Sequence, residues 1–174
     1  MANFSEFNLW LGKIFGCSEY DIKKILKDPT ALHFLVAWSL FESKCFKGFV
    51  KSEDISNYAN TVSSTIDWLE LSDTVNYFHE RYQDTTFLEN LLHQQKCQNL
   101  TEILKKPFDD LNRKEGVFLL VFVIYRYRNN IFHGNKGVQS WVVYSEQIQH
   151  CTHAMQVMVS HVEALKQTIN IASA

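Results

Sequence analysis

Apolar residues recur at helical spacing along most of the chain, and this pattern predicts an all-α fold. Residues 1–27 are expected to form two amphipathic packing helices, the second capped by Ser18. Asp28 and Pro29 predict a further helix over about 29–46, because proline at the first helical position loses no hydrogen bond.

The middle of the chain is more polar. Ser52 and Ser72 are each followed by acidic residues and predict the starts of two more helices, since negative charge is favourable in a first helical turn. Residues 85–104 keep a helical pattern, although few of them are apolar. We therefore expect residues 83–110 to form an exposed insertion that varies among related proteins.

The most apolar helix is predicted over about 113–133, with Asn112 as its N-cap. Its uninterrupted apolar run, residues 116–125, has to be covered on nearly all sides, so this helix is expected at the centre of a bundle. Gly134 suits the left-handed position that ends a helix. A last long helix is predicted over about 141–170.

Composition adds to this picture. With 174 residues, 46% of them hydrophobic, the chain can bury one core, which predicts a single helical domain over 1–174. The four cysteines form no C-x-x-C pair, so a reducing compartment is expected. The first residues lack the basic segment of a secretory signal, and the apolar run is about half of the roughly 20 residues that span a bilayer. We therefore expect a soluble, cytoplasmic protein with no membrane partner.

The charge is unevenly distributed. The formal net charge is −2, but residues 105–136 carry a local charge of +4. Local positive charge is what binding to a nucleic-acid backbone requires. Ordinary scatter of surface charge explains the asymmetry equally well.

The polar end of the 113–133 helix carries the clearest candidate chemistry. At about 100° per residue, Asn129 and His133 share one face and Arg128 lies beside them. An imidazole can transfer protons near neutral pH, and a guanidinium can hold phosphate oxygens. Because RNA supplies its own nucleophile, this set can support metal-free cleavage. From the spacing alone, cations that interact with the free carbonyl groups of a helix end are the commoner explanation.

The segment Arg128-Asn129-Asn130-Ile131-Phe132-His133 resembles the R-x(4–6)-H motif of the HEPN superfamily, in its R-N-x-x-x-H form. Upstream, the stretch with Trp38 and Glu42 resembles the W-x-x-x-E first core helix of many HEPN proteins. The resemblance covers about residues 29–165. It implies an antiparallel helical bundle, often a homodimer in which the two Arg–His motifs form a composite active site.

The resemblance also implies a metal-independent endoribonuclease that cleaves single-stranded or loop RNA and needs no cofactor. The expected catalytic residues are Arg128, which stabilises phosphoryl charge, His133, which transfers a proton, and Asn129, which orients the phosphate or the imidazole. The expected supporting residues are Glu42 and Tyr127, and the expected RNA-binding residues are Arg126, Asn130 and Lys136.

Other interpretations stay open. HEPN proteins include toxins, phage-defence effectors and RNA-processing proteins, and a toxin implies an antitoxin protein as partner. The chain also fits a non-catalytic HEPN module that dimerises or binds RNA or a nucleotide, or a helical interaction protein unrelated to HEPN. Two groups of potential metal ligands, His93 with Cys97, and His150 and His153 with Cys151, lack a recognised ligand spacing, so no metal site is predicted.

Overall fold

The computed structural model describes residues 4–132 and 143–172, and all regular elements in these ranges are helices. They are α1 (Phe4–Phe15), α2 (Glu19–Lys27), α3 (Thr30–Cys45), α4 (Ser52–Val62), α5 (Leu69–Arg81), α6 (Thr85–Leu92), α7 (Gln98–Leu104), a 3-10 helix (Phe108–Asp110), α8 (Arg113–Phe132) and α9 (Ser145–Ala172). The predicted all-α fold class is confirmed. None of the described helices has the length and apolar character needed to cross a membrane.

Two of the predicted helix caps are formed as expected. The Ser18 hydroxyl accepts a hydrogen bond from the Asp21 amide at the start of α2, over 3.2 Å. At the start of α8, the Asn112 side chain accepts from the Glu115 amide at 3.0 Å, and the Glu115 carboxylate accepts from the Asn112 amide at 3.1 Å. This reciprocal pair satisfies amide groups that a helix start otherwise leaves without partners.

The start of α5 was predicted wrongly. The helix begins at Leu69, whose amide donates to the Asp67 carboxylate at 3.0 Å, so Ser72 lies inside the first turn.

Residues 83–110 are not a wholly exposed insertion. The single helix expected over 85–104 is interrupted after α6, where His93 and Gln94 have positive φ angles of 47° and 67°. Both flanking helices pack against α8. Four side chains of the segment are buried in the core, namely Leu91, Leu100, Ile103 and Leu104.

The core is organised around α8, which contacts α4, α5, α6, α7 and α9. Every side chain from Val117 to Ile124 is buried, as the apolar run predicted. Gly116 permits one close approach, because a Cβ at this position would overlap the ring of Trp68. The second long helix, α9, packs mainly along α3.

The first two helices are less integrated. They contact each other, and their buried residues Leu11 and Ile22 lie outside the main core cluster. Trp10 and Tyr20 are 53% and 76% exposed. The main core is therefore built by α3 to α9.

Candidate functional site

A cavity of about 440 Å³ lies between α3, the connection from α6 to α7 and the last turns of α8. Its lining residues are Trp38, Glu42, Phe49, Val50, His93, Gln95, Tyr125, Arg126, Arg128, Asn129 and Asn130. The structure thus brings the two segments singled out in the sequence to one place. His133 and Lys136 lie outside the described residues.

Arg128 is half-buried in the cavity wall. Its guanidinium carbon lies 5.6 Å from the centroid of the Trp38 ring, which is within the range of a cation–π interaction. Its Nη1 donates a hydrogen bond of 3.1 Å to Oδ1 of Asn129. Trp38 and Asn129 together restrict the orientation of the guanidinium.

Glu42 reaches the same cavity from α3 and also fixes the chain that follows this helix. Its carboxylate accepts a hydrogen bond from the Val50 amide at 3.3 Å, and its carbonyl oxygen accepts from the Gly48 amide at 3.1 Å. Lys47 and Gly48 both have positive φ, which turns the chain sharply here. The turn leaves Phe49 at the cavity with 81% of its surface exposed.

Arg126 has a different role from the one expected. It is only 4% exposed, and its guanidinium donates three hydrogen bonds, to the carbonyl oxygens of Leu91 and Leu92, both at 2.9 Å, and to Oε1 of Gln95 at 2.7 Å. Burial lowers the pKa of Arg126 from its ordinary value. Its donors therefore hold the end of α6 and are engaged there rather than with RNA.

Tyr127 and Asn130 are also buried, at 7% and 6% exposure. The Tyr127 ring lies 6.4 Å from that of Phe78 and 6.3 Å from that of Tyr144, and burial raises the pKa of its hydroxyl well above the ordinary value. Tyr127 supports α8 from the core side and presents no face for stacking on a base. Asn130 lines the cavity but has little surface with which to contact RNA.

Sequence reasoning missed several cavity residues, among them Phe49, His93 and Gln95. The sequence pattern predicts one continuous helix through His93 and Cys97, on which His93 is only a potential metal ligand. The helix ends between the two residues, and in the described part of the chain no group of three or more His, Cys, Asp or Glu side chains could hold a metal ion. The polar run from His93 to Lys96 was the available signal for the break.

Comparison of the chain with protein-family models, curated proteins and solved structures found no match. The described residues by themselves define the class: an all-helical protein with a polar cavity at the end of its most buried helix. That this all-helical protein is a HEPN protein remains a hypothesis, which rests on the two sequence motifs.

Proposed function

We propose that the protein is a HEPN-type, metal-independent endoribonuclease acting on single-stranded or loop RNA. The observation that carries the proposal is the meeting of Trp38 and Glu42 with Arg128 and Asn129 around one cavity. These residues come from the two sequence segments that resemble HEPN motifs, and the resemblance expects the segments to lie side by side.

The proposed reaction is an internal transesterification. The ribose 2′-oxygen attacks the adjacent phosphorus, the O2′–P bond forms and the P–O5′ bond breaks, leaving a 2′,3′-cyclic phosphate and a 5′-hydroxyl. One proton leaves the 2′-OH and one is delivered to O5′, and His133 carries one of these transfers. Arg128 donates to the non-bridging oxygens as their charge grows, in the orientation that Trp38 and Asn129 support.

Two features of the cavity suit a flexible RNA strand. Its lining includes the cation of Arg128 and the amide groups of Asn129 and Gln95, which can contact phosphate and sugar. Exposed Phe49 offers a flat apolar face to an unstacked base at the same place. Bases are accessible for such contacts mainly in single strands and loops.

A homodimer with a composite site is part of the proposal. A two-fold arrangement would place a second Arg128 and His133 near one phosphate. Sedimentation equilibrium tests the homodimer, and we expect twice the monomer mass. A monomer that still cleaves RNA would contradict the homodimer but not the ribonuclease activity.

The decisive experiment is incubation with end-labelled single-stranded RNA in excess EDTA. We expect products with 2′,3′-cyclic phosphate ends, and a rate lowered about 10²–10³-fold by Arg128→Ala and 10²–10⁴-fold by His133→Ala. Arg113→Ala, which removes an exposed arginine at the opposite end of α8, is the matched control and should cleave normally. An oligonucleotide of the same sequence in DNA should stay intact because it has no 2′-OH.

The absence of cleavage by a folded, dimeric protein would contradict the nuclease. In that case fluorescence anisotropy with the same RNA decides between the remaining interpretations. Binding without turnover, weakened by Arg128→Ala, would indicate a non-catalytic HEPN module. A monomer without RNA affinity would indicate a helical interaction protein unrelated to HEPN.

A further inference from the structure

We propose that His93 is a second proton-transfer residue of the cavity, an inference that rests on the proposed ribonuclease function. His93 lines the same cavity as Glu42, Arg128 and Asn129, although it lies far from all of them in the sequence. Its side chain is exposed, so a substrate in the cavity can reach it and its proton can exchange with solvent. Neither motif of the HEPN resemblance includes this residue.

The backbone at His93 is held in an unfavourable conformation. Its φ and ψ are 47° and 58°, in the left-handed region, and Gln94 follows with a φ of 67°. A positive φ at two successive non-glycine residues costs free energy, since their Cβ atoms crowd the backbone. Such conformations persist where the surrounding structure enforces them, and they are frequent at functional sites.

The enforcing contact comes from α8 itself. The buried guanidinium of Arg126 binds the carbonyl oxygens of Leu91 and Leu92 on one side of His93 and the Gln95 side chain on the other. The His93 amide donates to the Glu89 carbonyl oxygen at 2.8 Å. Since Arg126 precedes Arg128 by two residues on one helix, His93 and Arg128 are fixed to the same rigid element.

The proposed reaction has two proton transfers, and a second imidazole provides the group for the second transfer. One neutral imidazole accepts the proton of the 2′-OH, and one protonated imidazole delivers a proton to the departing O5′. His93 supplies one of these two groups, and exchange with solvent restores its starting protonation state. The other charged or titratable groups lining the cavity are Glu42 of α3 and Tyr125, Arg126 and Arg128 of α8.

The test compares His93→Asn with Gln94→Ala. Asparagine tolerates the left-handed conformation and forms hydrogen bonds, but it does not transfer protons near neutral pH. Gln94 also has a positive φ and is exposed, but it is not among the lining residues, so its variant controls for disturbance of the connection. We expect His93→Asn to lower kcat about 10²–10⁴-fold with little change in KM, and to abolish one limb of the pH profile of kcat/KM. Gln94→Ala should keep the native rate and profile.

A native rate in His93→Asn, or a loss confined to KM, would overturn the inference and leave the nuclease intact. The second proton-transfer group would then lie elsewhere, for example on His133 of a second copy.

Histidine-labelled NMR gives a readout that does not depend on turnover. The ligand is an oligodeoxynucleotide, which fills the site without reacting, and the His93 signal is assigned by its absence in His93→Asn. We expect this signal to shift on titration, and an unshifted signal in an active enzyme would refute the assignment. A shift in a protein that never cleaves RNA would make His93 a binding residue only, and the proposed function would fail with it.

Discussion

The two halves of α8 use opposite kinds of residue. From Val117 to Ile124 every side chain is apolar and buried, whereas residues 126–130 include two arginines and two asparagines. Burying apolar surface stabilises the fold by about 25 cal/mol per Å², but burying a polar group costs free energy unless it is hydrogen-bonded. Burial of the apolar half thus fixes the helix in the core. The polar half places arginine and asparagine side chains at the cavity.

Arg126 and Arg128 show the same contrast at closer range. They are two residues apart, so they leave the helix in directions that differ by about 160°, although both contribute to the cavity lining. Arg126 donates to backbone carbonyl oxygens and is buried, while Arg128 is half-buried beside Trp38. Arg126 organises the end of α6 and Arg128 lines the cavity beside Trp38, which makes the two roles separable by mutation.

The largest effect on stability is expected in the apolar half. Leu120 is fully buried, and Leu120→Ala should lower the free energy of unfolding by about 2–5 kcal/mol through lost burial and the cavity left behind. Val36→Ala on α3 is the matched control, since Val36 is 54% exposed, and it should change stability by about 0.5 kcal/mol or less. Urea denaturation measures both. Equal losses in the two variants would contradict the central position of α8.

A smaller loss of stability is expected from Arg126→Met. The methionine fills part of the same space but removes the Arg126 donors to the carbonyl oxygens of Leu91 and Leu92, of which the Leu92 oxygen keeps the Gln95 amide, at a cost of about 1–3 kcal/mol. RNA cleavage should also fall, because the connection that carries His93 loses its anchor. Arg128→Ala should change the free energy of unfolding by less than about 1 kcal/mol while it removes activity.

Urea denaturation and the EDTA cleavage assay on the same samples separate the two roles. If Arg126→Met were as stable as the native protein and equally active, the three hydrogen bonds would not be what positions the end of α6.

Local features of this fold were predictable from the sequence, and features set by packing were not. The cap of α8 needs only Asn112 and Glu115, and the buried run needs only the composition of Val117–Ile124, so both were predicted. The different roles of Arg126 and Arg128 depend on α6 packing against one side of α8, which no pattern within the helix encodes. The break after α6 depends on the same packing, because Arg126 holds the connection from a distance of more than thirty residues, and the polar run from His93 to Lys96 was its local signal.

The site was predictable to a similar degree. The motif resemblance anticipated that Glu42 would lie near the Arg–His helix, and Glu42 and Arg128 line one cavity. Phe49 and His93 follow no motif and reach the cavity through positive φ angles at Lys47, Gly48 and His93 itself. A glycine in a sequence indicates that a positive φ angle is possible at that position, but a lysine or a histidine does not.

The smallest effect concerns pH and lies outside α8. The ring of His150 stacks on that of Tyr77 with their centroids 3.9 Å apart, and burial lowers the pKa of His150 below its ordinary value of 6.5. The unfolded chain therefore takes up this proton at a higher pH than the folded chain does. Stability from this group is present above the unfolded pKa and is lost as the pH falls through 6.5 towards the lower folded value.

His150→Phe keeps an aromatic ring for stacking and removes the titration. Urea denaturation between about pH 7 and pH 5 should then show a shallower decline in the free energy of unfolding than the native protein shows. The carboxylates whose pKa is lowered, Asp28, Glu115 and Glu163, titrate below this window. Leu120→Ala should lower stability by the same amount at every pH in the window, because Val117–Ile124 contain no titratable group. Parallel curves for the native protein and His150→Phe would show that the stacked imidazole is not the source of the pH dependence.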